Sequence, residues 1–501
     1  MEVLGEALSP RPAPFRPGQL LNLQRAPSSS QTAQARPGIT VAGVLLRRIW
    51  RRALFSYDQD MDDDRGAQLA REVAAKLREA GHEAYLVGGC VRDRLLGRPV
   101  HDRDLTTDAT PCELRRLFPE ALQVGAHFGV VLVRRDGAEV QVATYRSESS
   151  YRDGRHPDKV RFEKDVRADL RRRDFTINAL LEDPFTGEVI DHVGGRADLE
   201  ARLIRAIGEP RERFAEDHLR MLRAVRFAAE LGFGIEPRTL EAIRELAPAI
   251  GRISAERIRD ELTRILTGAD PKRGFELLDE TRLLAEILPE AARMKGVEQP
   301  PDYHPEGDVW THTLLMLGHL RQAPLDLAWG CLLHDAGKPL TQTFEDRIRF
   351  SGHEKAGAEL ARRILERLRY PKELTERVVW LVAQHMRFKD AEKMSEATFK
   401  RFVRQPGFET LLELYRIDLA ASRRPMAIYE EVKQRLESLP PEALHPAPLL
   451  RGRDLLGMGY APGPEFSRVL KALEEEQLAG RIATREQAEE FVRRALGSPA
   501  T

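Results

Sequence analysis

From residue 67 onward the apolar positions change period twice. Residues 67–80 repeat them at helical spacing. The runs AYLVGG (84–89), RDL (103–105), VVLVRR (130–135) and AEVQVATYR (138–146) are short, rich in Val and Tyr, and closed by turn residues, which predicts strands. VRDRLL (91–96) and CELRRLF (112–118), lying between them, have helical spacing. Strand and helix therefore alternate to about residue 192, and a small α/β head is expected over 61–192. After Asp198 the strand signals nearly vanish. EDHLRMLRAVRFAAELGF (216–233), SAERIRDELTRIL (254–266) and GFELLDETRLLAEIL (274–288) carry apolar residues at i, i+3, i+4 and i+7, so the rest is expected to be helical. Pro300, Pro301 and Pro305 punctuate a boundary. The expected order is a helical neck and body at 193–299, a second block at 300–425 and a helical C-terminal region at 426–501, an α+β chain overall.

Residues 1–56 differ in composition: eight Arg and six Pro against only Glu2 and Glu6 as acids, with Ser28–Ser30 clustered. Such a stretch is expected to be disordered. It reads either as a dispensable tail upstream of Met61 or as an organelle-targeting segment with a short basic amphipathic helix at 41–55. The first reading is preferred, with a cytoplasmic location. The whole chain of 501 residues balances 79 Lys+Arg with 79 Asp+Glu, so any polyanionic partner must be met by a local patch. No apolar run approaches the ~18 residues of a membrane-spanning helix, and none of the three cysteines, Cys90, Cys112 and Cys331, forms a CxxC pair. A membrane protein and a cysteine-based zinc site are both disfavoured.

The first chemistry-bearing group follows the first strand. Gly88-Gly89 let the backbone turn and approach a ligand where a helix begins, and Arg92 adds a cation suited to phosphate. Thirteen residues past Gly89 comes Asp102-Arg103-Asp104. On a strand i and i+2 share a face, so the two carboxylates converge as hard oxygen ligands for Mg²⁺. Two such ions activate an attacking hydroxyl and stabilise a leaving pyrophosphate. Further on, EDHLRMLRAVRF (216–227) is expected to place Asp217 and Arg220 as neighbours on one helix, with Arg223 and Arg226 continuing the spacing and Leu219, Leu222, Val225 and Phe227 buried opposite. A carboxylate beside a guanidinium offers acceptor and donors in one plane, as a nucleobase edge does.

LVGGCVRDRLLGRPVHDRDLTT, RRRDFTINAL (171–180) and EDHLRMLRAVRF together resemble the class II tRNA nucleotidyltransferase and bacterial poly(A) polymerase family, whose head is of the polymerase-β type. The resemblance covers about residues 66–425. It implies catalysis by Asp102 and Asp104, base selection by Asp217 and Arg220, and contacts to the nucleotide from Gly88, Gly89, Arg92, Arg173, Arg223 and Arg226, with CTP, ATP and tRNA as partners. Asp174 is expected to be structural. Gln141 stands where relatives commonly carry a third acid, with Glu139 two residues before it. The segment 146–162 resembles the family's flexible loop that helps switch from C to A addition. GAHFGVVLV (125–133) is closer to the tRNA enzymes than to the polymerases.

The block after residue 300 contains His312, His334-Asp335, His353, His385 and Asp418 in that order. An adjacent His-Asp within an apolar helix is costly to bury without a metal or full hydrogen bonding, and imidazole with carboxylate suits a divalent transition metal. The series, with GKP after His-Asp, resembles the HD phosphohydrolase domain. That likeness implies one metal, such as Mn²⁺, Co²⁺ or Ni²⁺, on His312, His334, Asp335 and Asp418, and phosphate or a second ion at His353 and His385. The expected activity is template-independent CCA addition or repair with an attached phosphohydrolase. The alternatives are a poly(A) polymerase or A-adding enzyme, and an HD phosphodiesterase whose head only binds RNA. The sequence leaves the oligomeric state open.

Overall fold

The computed structural model describes residues 65–123, 129–149, 159–302, 304–440, 444 and 446–497. The tail at 1–60, the centre of the expected loop at 150–158 and residues 125–128 of the GAHFGVVLV stretch lie outside them.

A helix at 65–79 leads into the head. Its strands are β1 (Ala84–Val87), β2 (Asp104–Thr107), β3 (Leu122–Gln123), β4 (Val130–Arg135), β5 (Ala138–Thr144), β6 (Arg146–Ser149), β7 (Lys159–Phe162), β8 (Leu181–Glu182) and β9 (Val189–Ile190). Seven of them form one sheet in the order β3-β4-β5-β2-β1-β8-β9, while β6 and β7 pair as a separate ribbon. Alternation of apolar residues sends Leu105, Val131, Val133, Val140 and Val142 to one face, where they bury Leu69, Val73 and Leu77 of the first helix. The helix Pro111–Leu117 starts where its sequence says it should. Thr110 and Glu113 form a reciprocal capping box and Pro111 occupies the first turn. Within the seven-stranded sheet only β2 and β5 run parallel, in a register that sets Asp104 beside Gln141.

Beyond the head the chain is helical with two small exceptions. β10 (Leu203–Ile204) pairs in parallel with β11 (Gly234–Ile235), and β12 (Thr343–Phe344) pairs with β13 (Ile348–Arg349) as a hairpin. Two-residue ladders are too short to leave a period-2 signal, so the expectation of helices alone had nothing to detect them by. The helix Leu219–Leu231 packs against Ala255–Leu266 and Pro271–Glu280, and one continuous core runs from there through Trp310, Trp329 and Leu381. Residues 450–496 add a separate small core around Leu455, Leu473 and Val492. Among the described residues no helix is long and apolar enough to cross a membrane.

Candidate functional site

Gly88 ends β1 with φ +89°, a conformation that disfavours side chains. A Cβ there would stand 3.5 Å from Arg173 Nη1 and 4.0 Å from Asp104 Oδ2, so the turn, the guanidinium and the carboxylate meet at one point. Asp104 opens β2 and is half-buried, whereas Asp102 precedes the strand and is exposed. Ladder geometry nevertheless reaches back this far, since Gln141 N–H donates to the Arg103 carbonyl at 3.2 Å. Burial pushes the Asp104 carboxyl above its ordinary range, Arg173 opposes the shift, and the Asp102 charge adds to it. Gln141 is the cross-strand neighbour of Asp104, while Glu139 pairs with Arg134 at 2.5 Å toward the far end of β5. The position beside Asp104 is thus held by an amide.

The arginines predicted to form a row are distributed over separate partners. Arg92 is buried, donates to Asn178 Oδ1 at 2.7 Å and pairs with Asp93 at 2.9 Å. Arg173 touches the buried Asp169 at 3.3 Å and leaves its Nε without a hydrogen-bond partner. Arg220 donates to the Arg172 carbonyl at 2.8 Å and to Glu216 at 2.7 Å. Arg223 donates to Asp174, whose carboxyl is held down to about 2 despite burial by Arg223 and by Asn178. Arg226 is buried against Glu261 at 2.6 Å and Glu230 at 3.0 Å.

Two expectations for this helix are corrected. Phe227 does not lie opposite the arginines: its ring carries the guanidiniums of Arg226, Arg92 and Arg223 at 4.0, 5.0 and 5.3 Å. Asp217 is not on the helix with Arg220. It is the extended residue that ends Pro210–Glu216, with its carboxylate gripped by Arg257 through two hydrogen bonds of 3.1 and 2.7 Å.

A second group gathers side chains from five places. His312 projects from the helix Val309–Gly318, His353 opens His353–Arg367, His385 follows Lys372–Gln384, and Asp418 lies in Phe408–Ala421. His334 and Asp335 are not inside a helix, as expected from sequence, but at and just past the end of Leu325–Leu333. A turn is what lets the two adjacent side chains reach the same cavity. Gly337 presses this turn onto its neighbour: a Cβ there would sit 2.1 Å from the His353 carbonyl oxygen and 2.6 Å from Gly357 N.

One oxygen of Asp335 lies 3.0 Å from His334 Nε2 and 2.7 Å from Lys338 Nζ. The other lies 3.4 Å from His353 Nε2 and 3.8 Å from His385 Nε2. His312 Nε2 is 3.2 Å from Asp418, which also pairs with Arg424 at 2.5 Å. Backbone carbonyls of Cys331, Phe350 and Val382 meet Nδ1 of His334, His353 and His385, turning each Nε2 inward. On His312 a carboxylate does that work: Glu306 Oε1 is 2.6 Å from its Nδ1 and 2.9 Å from His304 Nδ1. His312, His334 and Asp418 form one set of potential metal ligands, and Asp335, His353 and His385 another. Nε2 of His312 and of His334 are buried and lie near carboxylate oxygens without hydrogen-bond geometry to any of the described residues, the disposition of ligands arranged around a cation. The donor set therefore fits a divalent metal.

Residues 84–205 match the poly A polymerase head domain, 232–295 the probable RNA and SrmB-binding site of polymerase A, and 308–433 the HD domain. Over the first two of these segments the chain is similar to the tRNA nucleotidyltransferase and poly(A) polymerase family. The chain is 45% identical to the CCA-adding enzyme of Pediococcus pentosaceus over 249 residues, 48% of this chain and 62% of that one. It is 46% identical to the CCA-adding enzyme of Lacticaseibacillus paracasei over 232 residues, 46% and 58% of the two chains. The chain thus spans about three fifths of the length of these curated relatives. Among solved structures, the Bacillus stearothermophilus CCA-adding enzyme in complex with CTP superposes with a TM-score of 0.65 at 28% identity, covering 85% of this chain and 97% of that one. The Thermotoga maritima CCA-adding enzyme complexed with tRNA shares the fold, with a TM-score of 0.55 at 19% identity over 85% and 95%.

Sequence reasoning missed Arg257, His304, Glu306, Lys338 and Arg424. Lys338 follows His334-Asp335 in the GKP turn and could have been read there. Arg257 lies forty residues from Asp217, Arg424 follows Asp418 by six residues beyond the end of the helix Phe408–Ala421, and His304 and Glu306 lie in a proline-rich connector without periodicity.

Proposed function

We propose that the chain adds CMP and AMP to the 3′ end of tRNA, completing or repairing the CCA terminus, and that it acts in the cytoplasm. The observation that carries this reading is the meeting of Gly88, Asp104 and Arg173 at one point, a few residues from the arginines that join the head to the helix Leu219–Leu231. Asp102 and Asp104 would hold Mg²⁺, which supplies activation of the tRNA 3′-hydroxyl and charge stabilisation of the leaving pyrophosphate. The Gly88-Gly89 backbone admits the triphosphate close to β1, and Arg173 directs a guanidinium at it. Arg92, Arg223 and Arg226, stacked on Phe227, hold the surrounding wall at fixed charge and shape. Asp217 and Arg220 present the acceptor and donors that select cytosine and adenine, with Asp217 oriented by Arg257. Three free cysteines agree with a reducing compartment.

In the HD domain, His312, His334, Asp335 and Asp418 would hold a transition metal such as Mn²⁺, Co²⁺ or Ni²⁺, which supplies an activated water for phosphate-ester cleavage. His353 and His385, facing the other oxygen of Asp335, receive the phosphate or a second ion. Substrates with 2′,3′-cyclic phosphate or phosphomonoester ends make chemical sense, because such an end lacks the hydroxyl that the head requires.

The test is to offer tRNA ending at the discriminator base with CTP and ATP, separately and together, and to sequence the 3′ ends. CCA ends that need both nucleotides are expected. Oligo(A) tails from ATP alone would replace this reading with poly(A) polymerase, and no extension at all would leave the HD domain as the working part.

A further inference from the structure

The cavity over the His/Asp cluster is larger and more cationic than the cluster itself requires. It encloses about 810 Å³, within the roughly 300–1,000 Å³ that accommodates a whole organic ligand. A single phosphate would fill a small part of it. Of the cations that line it, Lys338 is paired with Asp335, Arg424 with Asp418, and Arg349 with Asp346 at 2.6 Å. The side chains of Arg347 and Lys389 make no ion pair or hydrogen bond among the described residues, although both line the same space. Arg347, whose charge also acts on Asp346, and Lys389 are exposed cations beyond the ligand cluster, and they suit negative charge beyond the phosphate being cleaved.

The rim adds an aromatic. Phe344 and Ile348 are cross-strand partners in the β12–β13 hairpin, which puts their side chains on one face. Ile348 lines the cavity, and Phe344, just outside it, is 71% exposed. A phenyl ring held in water beside a cationic groove is the arrangement on which nucleobases stack.

We infer that Arg347, Lys389 and Phe344 form a subsite for the penultimate nucleotide, the one joined to the nucleotide that bears the scissile phosphate, so that this cavity takes the 3′-phosphorylated end of an RNA strand in preference to a free mononucleotide. The inference rests on the phosphohydrolase reading of the cluster. In the step it serves, a water oxygen bonds to phosphorus and the bond from phosphorus to the 3′-oxygen breaks. That oxygen takes a proton, giving a 3′-hydroxyl strand and inorganic phosphate. A nucleoside diphosphate also offers a base and an extra charge. A strand is preferred because Phe344 is not among the residues that line the cavity over the cluster, a place that suits a base one nucleotide beyond the group on the cluster.

The experiment compares the full chain loaded with Mn²⁺, wild type against Arg347→Gln/Lys389→Gln and Phe344→Ala, on a 3′-phosphorylated RNA trinucleotide, adenosine 3′-monophosphate and adenosine 5′-diphosphate. Wild type should favour the trinucleotide at least tenfold in kcat/KM. The double variant should raise the ratio of trinucleotide KM to mononucleotide KM at least fivefold, and flatten the salt dependence of the trinucleotide KM by one to two contacts' worth. Phe344→Ala should raise the same ratio with no change in salt slope. Equal use of the trinucleotide and the monophosphate, or KM changes by one common factor on all substrates, overturns the subsite; preference for the diphosphate overturns the strand. If wild type cleaves nothing and binds no metal, the phosphohydrolase reading fails instead. The subsite is then judged by anisotropy, as the tightening of a labelled 3′-phosphorylated trinucleotide over the labelled 3′-monophosphate, and a gain that survives the double substitution overturns it.

Discussion

Asp174 in the head and Arg223 in the helix Leu219–Leu231 are joined by a hydrogen bond of 2.9 Å and an ion-pair contact of 2.7 Å, both onto a single carboxylate oxygen. The other oxygen of Asp174 accepts from Phe175 N–H at 2.8 Å and from Asn178 at 3.2 Å. Arg220 reinforces the junction by donating to the carbonyl of Arg172, two residues away. The turn that carries Arg173 is thereby fixed to the helix Leu219–Leu231 of the neck.

This junction has a pH signature. The carboxyl of Asp174 lies at about 2 in the folded chain against an ordinary 3.8. The unfolded chain therefore binds the proton first as pH falls, and the stabilisation is complete above about pH 4 and lost toward pH 2. By linkage it amounts to roughly 2 kcal/mol. Urea unfolding of wild type and Asp174→Asn across pH 2–6 should show a stability gap that is constant at the upper end and closes toward pH 2. A gap independent of pH would mean that Asp174 contributes through packing alone.

Removing one carboxylate of the head should separate the two activities. Asp104→Asn is expected to lower CMP and AMP incorporation into tRNA by at least a hundredfold, with Asp102→Asn close behind, while the HD domain retains its metal. Quantifying 3′-extension and bound metal on the same preparations checks both halves. More than a tenth of wild-type turnover in either variant at saturating Mg²⁺ would exclude the two-carboxylate role.

Arg257 is expected to govern nucleotide choice without touching the triphosphate. Truncating it to Ala leaves the Asp217 carboxylate without its fork, a change worth about 1–3 kcal/mol. Misincorporation of UMP and GMP should rise about tenfold or more, with a smaller change in the KM for CTP. Competition assays with all four nucleotides, read by sequencing, decide it; an unchanged product spectrum removes Arg257 from selection.

Glu306 orients His312, so Glu306→Ala should weaken the metal affinity of the HD cluster about 10- to 100-fold, the usual effect of losing such a carboxylate. Glu306→Gln, which still accepts one hydrogen bond, should fall between. Calorimetric titration with Mn²⁺ measures this directly. Equal affinity in all three proteins would show that the helix Val309–Gly318 alone sets the imidazole.

The head was legible because its signals are local. Strand, glycine turn and Asp102-Arg103-Asp104 follow one another within twenty residues, and the register of β2 with β5 then brings Gln141 to Asp104. The His/Asp series was legible as a list of residues but not as a shape. That Asp335 divides its two oxygens between His334 and the His353–His385 pair depends on residues 18 and 50 positions further along the chain. Asp217 shows the limit from the other side. Its spacing from Arg220 suggested a helix pair, yet the helix begins at Leu219 and the strongest partner of Asp217 is Arg257, forty residues on, which no periodicity announces.

The close fit at Gly337 bears on how the metal centre is acquired. With the turn after Asp335 pressed directly on the first turn of His353–Arg367, backbone contact and the surrounding core hold the two halves of the cluster in register. Small zinc-dependent domains are the opposite case, since their ligands gather only when the ion binds and chelation unfolds them. For the proposed centre, loading is expected to be decoupled from folding. A chelator should leave the chain native, with stability lowered only by the mass-action contribution of the ion, about 2.7 kcal/mol at a hundredfold excess over Kd, and the emptied centre should refill without refolding.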